Sequence, residues 1–271
     1  LAVALRMYNI SSPIADWHSW RQVDTAAVGR NFVENGFDLL RPKFYDFSNV
    51  QTGSYNPEGL RFVEFPLYNA AFAGLHTIMP FFSLEVWARL VTILMSCVTI
   101  ACIYCLLLHE VSRSSALWGS LIYAIMPFFV FYSRVVLPDP VAISLMWASI
   151  TCLYMWSRST HSSKKRLQYM ASLLLAAAAI LVKPTTIFFL LPLAYIFVRT
   201  YTYKIATQWH MLIFFTLIVL PFGLWRYWIS LFPVGGPGFE WLITSVNTFE
   251  GQKIIFFRPA YFRWVYFERI L

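Results

Sequence analysis

The sequence predicts an all-α, polytopic membrane protein, and three observations carry that prediction. Hydrophobic residues make up 59% of the 271 and charged residues only 13%, about half the ~25% usual in soluble domains. Apolar runs recur along the chain at lengths close to the ~20 residues a helix needs to cross a bilayer. The basic residues sit between those runs and form no compact patch. A net charge of +8 therefore excludes nucleic acid as a partner and suits membrane lipid headgroups or phosphate-bearing substrates.

In chain order, residues 1–8 read as the end of a first transmembrane helix that is cut short. Residues 9–85 form a large first external loop with juxtamembrane amphipathic helices. The transmembrane module, 86–228, holds about six spans: Val86–Leu108, Ser115–Ser133, Val141–Ser157, Leu167–Val182, Thr185–Val198 and Trp209–Trp228. Residues 229–271 are a further external loop, cut at its C-terminus, in which aromatics alternate with Arg258, Arg263 and Arg269. The ambiguous run is Phe65–Phe82. Asn69 and His76 share one strip of it and the rest is apolar, which fits a helix lying at the interface. As a seventh span it would split the polar groups across the membrane.

Lys and Arg in short loops set the orientation. Residues 158–166, "RSTHSSKKR", hold four of them, and 199–208 add Arg199 and Lys204. These loops are expected in the cytoplasm. Counting spans from there leaves Glu85, Asp139 and Lys183 outside, on the same face as the first loop. Cys97, Cys102, Cys105 and Cys152 all lie in apolar runs and read as small buried hydrophobes.

The stretch "DWHSWRQVDTAAVGRNF", 16–32, is unusually charged for its surroundings. As a helix capped by Asp16, it gathers Trp17, Trp20, Val23, Ala27, Val28 and Phe32 on one arc. His18, Gln22 and Arg30 lie opposite. Asp24 falls inside the apolar arc, with Arg21 one turn before it. A carboxylate aimed at an apolar side is costly unless something meets it. Asp24 is therefore either a site residue or the structural partner of Arg21.

The order of "DWHSWRQVDTAAVGRNF", "VEFPLY", "SRVVLPDP" and "LLAAAAILVKPTT" resembles the GT-C superfamily of polytopic glycosyltransferases. Within it, the likeness is to the bacterial dolichyl-phosphate-mannose protein mannosyltransferase-like group, which includes aminoarabinose transferases. The resemblance covers most of this chain and corresponds to the N-terminal module of longer members. It implies a multi-pass protein of a bacterial or archaeal plasma membrane. Such a protein passes a sugar from a polyprenyl- or dolichyl-phosphate donor to an acceptor lipid, glycan or protein on the external face. It also implies a catalytic Asp in the first external loop, a role for which Asp24 and Asp16 both match. Many relatives read Lys-Pro-Pro where this chain reads Phe65-Pro66-Leu67 after Glu64, so that phosphate-binding lysine is missing.

The remaining candidates each carry two readings. Asp139 in "PDP" caps the next span or holds a cation or basic side chain, with Arg134 at the same depth as its partner or as a phosphate ligand. Leu167–Val182 covers ~24 Å, short of the ~30 Å core. Lys183 then lies at or below the interface, either snorkelling or binding a carrier phosphate. Glu64 stabilises a helix N-terminus or acts as a second carboxylate near Asp24. Arg21 and His18 complete the substrate-binding set. Some GT-C members use a divalent cation, for which Asp16, Asp24 and Asp139 offer hard oxygen ligands. The expected reaction is a single displacement with a carboxylate base and cations on the leaving phosphate. The alternative, a transporter or flippase, requires broken mid-membrane helices and an internal repeat; the sequence displays neither.

Overall fold

The computed structural model describes residues 1–14, 18–48, 55–202 and 208–232. Asp16, Trp17 and the Arg258–Arg269 tail lie outside these residues. The described helices are α1 (Ala2–Met7), α2 (Ser19–Asn35), α3 (Leu67–Ile78), α4 (Leu84–Glu110), α5 (Arg113–Ile125), α6 (Pro127–Tyr132), α7 (Pro138–Arg158), α8 (Ser162–Val182), α9 (Leu190–Tyr201) and α10 (Trp209–Ser230). A 3-10 turn over Pro184–Phe189 leads into α9. Among the described residues, five segments are long and apolar enough to cross a membrane: α4, α7, α8, the Pro184–Tyr201 unit and α10. The protein is an all-helical, polytopic membrane protein.

The expected span 115–133 is two helices. Pro127 has no N–H to offer the carbonyl of Tyr123, and Met126 is extended at ψ 126°. The carbonyls this frees are taken by Arg6, which is fully buried. Its guanidinium donates to Ala124 O at 2.8 Å and Tyr123 O at 3.4 Å, and to Ser133 Oγ at 2.5 Å. A broken helix is thus present, contrary to expectation, and its loose carbonyls are closed by protein.

The two ends differ in chemistry. At one end, Glu110 of α4 meets Arg199 at 2.7 Å, and Tyr154 donates to it at 2.6 Å. Lys164, Lys165 and Arg166 lie at this end too, in the first turns of α8. That start makes α8 21 residues long, or ~31 Å. The short-span argument for the depth of Lys183 therefore does not hold. At the opposite end sit the first turn of α7, the C-terminus of α8, and α2 and α3. Between the ends, Met146, Leu153, Ile180, Leu193, Phe197 and Phe214 form the core of α7–α10.

α3 has 12 residues, ~18 Å, too short to cross. It packs between α2 and α4, burying Tyr68, Phe72 and Ala73. Its approach to α2 is set by Gly29, where an added Cβ would lie 2.1 Å from the buried Phe72 ring. α2 itself starts at Ser19, after His18 in the left-handed region at φ 60°. Its buried face is Gln22, Asp24, Thr25, Ala26, Val28, Gly29 and Phe32, while Trp20 and Val23 are exposed. The expected apolar arc is therefore rotated, because α2 packs on protein and its polar groups satisfy buried backbone. Gln22 Oε1 accepts from Val136 N at 2.9 Å, and Thr25 O accepts from Asn69 Nδ2 at 2.7 Å.

Candidate active site

Three elements converge at the end of the bundle opposite the basic loops. α2 supplies Arg21 and Asp24, three residues apart and so on neighbouring positions of its surface. The loop between α2 and α3 supplies Arg61 and Glu64. α7 and α8 supply Asp139 and Lys183 from their facing termini.

The described parts of the α2–α3 loop are tied together by backbone and side-chain hydrogen bonds. Lys43 and Leu60 form an antiparallel bridge, and Arg61 N donates to Pro42 O at 2.8 Å. Asn56, fully buried, clamps Leu60 through both backbone groups at 2.8 and 3.0 Å. Gly59 adopts φ 64°, and an added Cβ there would lie 2.5 Å from Phe44 O, so only glycine serves. Phe65 N then donates to Leu181 O at 3.1 Å. That bond places Glu64 beside the end of α8, where Lys183 follows as C-cap and Pro184 prevents continuation.

Six charges result, in two linked groups. Glu64 is a hub: Arg21 donates to both its oxygens, and Lys183 Nζ reaches it at 3.2 Å. Lys183 also lies 3.3 Å from Asp139. Asp24 accepts from Arg61 at 2.9 Å, and the Arg61 guanidinium stacks 4.9 Å over Phe44. Burial, and then the Arg21 charge, bring Arg61 down to about 10, so it stays cationic at neutral pH. Burial opposes ionisation of Glu64, but Arg21 and Lys183 outweigh it and hold its carboxyl below the usual range.

That depression carries a pH prediction. A carboxylate with a lowered folded-state value stabilises the fold fully above its unfolded value, here 4.5. The contribution is lost as pH falls from there through the folded value. The thermal midpoint should therefore drop on acidification below 4.5, and Glu64→Gln should flatten that drop. Circular dichroism melts of both proteins across this window check it; an equally steep drop in Glu64→Gln would assign the acid sensitivity to other groups.

Two large cavities flank the cluster. One, of about 720 Å³, is walled mainly by aromatics and aliphatics such as Trp20, Tyr123, Phe128, Ile143 and Trp147, and is also lined by the polar side chains of His18, Arg21, Asp139 and Lys183. The other, of about 600 Å³, is more polar and includes Asp24. A space of about 20 Å³, room for one water, lies among Arg21, Asp24, Arg61 and Glu64. It shares Arg21 with the apolar cavity and Asp24 with the polar one.

The sequence-predicted residues are thus partly gathered. Arg21, Glu64, Asp139 and Lys183 meet, with Asp24 adjacent and His18 in the lining of the apolar cavity. Arg21 pairs with Glu64, so the local Arg21–Asp24 pair is replaced by two long-range ones. Arg134 is not brought in: its guanidinium lies 6.0 Å over the Tyr8 ring, and Asp139 turns to Lys183 instead. Asp139 is not the helix cap; α7 starts at Pro138 after Leu137, and the carboxylate lies in its first turn. Arg61 was missed. Its signal was a lone cation three residues before Glu64 in "LRFVEF". Of the three carboxylates offered for a divalent cation, Asp16 lies outside the described residues. Asp24 faces Arg61, Asp139 faces Lys183, and among the described residues no group of three His, Cys, Asp or Glu converges.

A family model described as dolichyl-phosphate-mannose-protein mannosyltransferase matches residues 66–228. No curated protein and no solved structure matches the chain.

Proposed function

We propose, from the premise that this chain belongs to the dolichyl-phosphate-mannose-protein mannosyltransferase family, a specific reading of its GT-C-type glycosyltransferase chemistry. The protein takes a sugar from a polyprenyl-phosphate carrier and transfers it to an acceptor at the external membrane face. The observation that carries this reading is the apolar cavity whose lining includes Lys183 and Arg21 beside Asp139. Its aromatic and aliphatic walls suit a prenyl chain, and Lys183 and Arg21 stand where a phosphate would sit. An ammonium acts on phosphate as a point charge and a guanidinium as a planar fork.

The chemistry follows from the two-sided cluster. Asp24, within reach of the polar cavity, takes the proton of the acceptor hydroxyl. The acceptor oxygen attacks the anomeric carbon, and the carbon–oxygen bond to phosphate breaks with its electron pair leaving on phosphate. Lys183 and Arg21 stabilise the charge that grows there. Glu64 and Asp139 hold these cations in place. The external side is supported by the basic loops at the opposite end of the bundle, which are expected to stay in the cytoplasm.

Mass spectrometry of lipids extracted from the purified full-length protein tests the donor class. A polyprenyl phosphate bearing a sugar is the expected co-purifying species. Recovery of ordinary phospholipids alone, from membranes that contain polyprenyl-phosphate sugars, would sink it.

A further inference from the structure

We infer that the end of the bundle bearing the basic loops carries a phospholipid site. It is a groove between α4, α7 and α9, and its ligand is an anionic lipid with a phosphodiester headgroup from the leaflet at that end. The site lies at the opposite end of the bundle from Asp24, Glu64 and Lys183. It does not rest on the glycosyl-transfer reading.

The groove is a cavity of about 450 Å³, and its walls are ordered by depth. All three helices end on this side. On α7 the wall passes from Ile150 through Tyr154 to Arg158, and on α9 from Pro192 through Ile196 to Arg199. On α4 it passes from Leu106 to Glu110. Ile150 to Arg158 covers ~12 Å of helix and Pro192 to Arg199 ~10 Å. Each wall is therefore apolar at depth and charged at the helix end, which is the profile of a lipid with its headgroup. Tyr195 is also on the wall and is 63% exposed. It belongs to the Pro184–Tyr201 segment, which is long and apolar enough to cross a membrane. The groove thus opens sideways towards lipid, with tyrosines near its mouth as at other membrane interfaces.

The mouth holds one carboxylate for two guanidiniums. Glu110 accepts from Arg199 at 2.7 Å and from Tyr154 at 2.6 Å. Arg158 stands 4.0 Å from Glu110, beyond a hydrogen bond. Glu110 cancels one of the two cations, so the lining keeps an excess of one positive charge after its pairing is counted. Arg158 lies over the Tyr154 ring at 5.6 Å, which holds its guanidinium at the mouth. The side chain is half exposed, so its planar fork can meet a phosphate. A phosphodiester carries one negative charge, equal to that excess. Basic pockets between membrane helices recognise lipid headgroups in this way. The C-terminal carbonyls of three helices disfavour an anion that brings nothing else. The apolar groove supplies the rest of the binding, and a free phosphate lacks the chain to use it.

Native mass spectrometry of the full-length protein in a neutral detergent tests this. The probes are phosphatidylglycerol, phosphatidylcholine with the same chains, and glycerol 3-phosphate as the headgroup alone. Phosphatidylglycerol should bind about tenfold more tightly than phosphatidylcholine, and glycerol 3-phosphate should not displace it. Arg158→Gln should weaken phosphatidylglycerol binding about tenfold. Arg113→Gln removes a cation at the same end, in the first turn of α5 and outside the groove, and should leave binding unchanged. Glu110→Gln removes the competing carboxylate and should strengthen binding, a gain that no folding defect imitates. Equal binding of the two lipids, or wild-type binding in Arg158→Gln, overturns the inference. So does weakened binding in Glu110→Gln. A loss in Arg113→Gln as large as in Arg158→Gln would replace the site with a diffuse attraction to the basic end. Displacement by glycerol 3-phosphate would make it a site for free phosphate and overturn the lipid assignment.

Discussion

Asp24→Asn should lower sugar transfer by about 10²–10⁴-fold, the contribution typical of a positioned general base. The amide keeps the shape of the carboxylate and can still lie beside Arg61, so the polar cavity should survive. It cannot accept a proton at neutral pH. Donor binding, which depends on Lys183 and Arg21 across the cluster, should change little. Stability should also fall, because Asp24 accepts from Arg61 at 2.9 Å and both side chains are nearly buried. Leaving such a cation without its counter-charge costs about 3–5 kcal/mol by analogy with broken buried pairs, an upper bound for two groups that keep some exposure. Activity must therefore be expressed per folded molecule. Arg61→Met in the Asp24→Asn background removes the orphaned charge; it should recover stability and leave transfer low. Asp16→Asn is the companion measurement. An active Asp24→Asn beside a dead Asp16→Asn would make Asp16 the base and Asp24 the structural partner of Arg61. If both stayed active, the base mechanism would be wrong.

What the sequence made legible was local. The apolar runs marked where α4, α7, α8 and α10 lie, because span length is a property of consecutive residues. Pro127 was readable as a helix breaker, yet Pro221 sits inside an unbroken α10, so the residue alone does not decide. What decides at Pro127 is Arg6, 118 residues from Ala124, whose guanidinium accepts the role of the missing helical donors. The same distinction separates what was seen of the site from what was missed. Lys183, Glu64, Arg21, Asp139 and Asp24 stood out as charges beside apolar segments, which is a costly placement visible without a fold. Their partners did not. Spacing on one helix pointed Arg21 to Asp24, but the loop clamped by Asn56 and Gly59 delivers Arg61 and Glu64 to them instead. Glu64 and Lys183 meet across 119 residues because Phe65 N bonds Leu181 O, a contact that no local pattern announces. The orientation of α2 was misjudged for a related reason. A helical wheel assumes that apolar residues face the larger apolar partner, whereas here Gln22 is drawn inward by the backbone N–H of Val136 and Thr25 by the Asn69 amide that its carbonyl accepts from.

Lys183→Met should weaken donor binding about 10- to 100-fold, as read by titration of undecaprenyl phosphate into the full-length protein in nanodiscs. The size follows from losing a charge-assisted contact worth about 1.5–3 kcal/mol, where 1.4 kcal/mol is a factor of ten. Methionine preserves most of the length and apolar stem, so the cavity wall remains. The electrostatics change more than one contact suggests. Lys183 stands 3.2 Å from Glu64 and 3.3 Å from Asp139; without it, Asp139 loses its cation and Glu64 keeps only Arg21. An incoming phosphate would then meet an unpaired carboxylate in the cavity lining. Glu64→Gln moves the balance the other way. It frees Lys183 and Arg21 from a competing anion, so donor affinity should rise even as acid-range stability changes. Opposite signs for the two variants are the signature of a phosphate competing with carboxylates for the same cations. If Lys183→Met bound undecaprenyl phosphate like wild type, Lys183 would be only the counter-ion of Glu64 and Asp139, and the phosphate would have to be held elsewhere on the cavity.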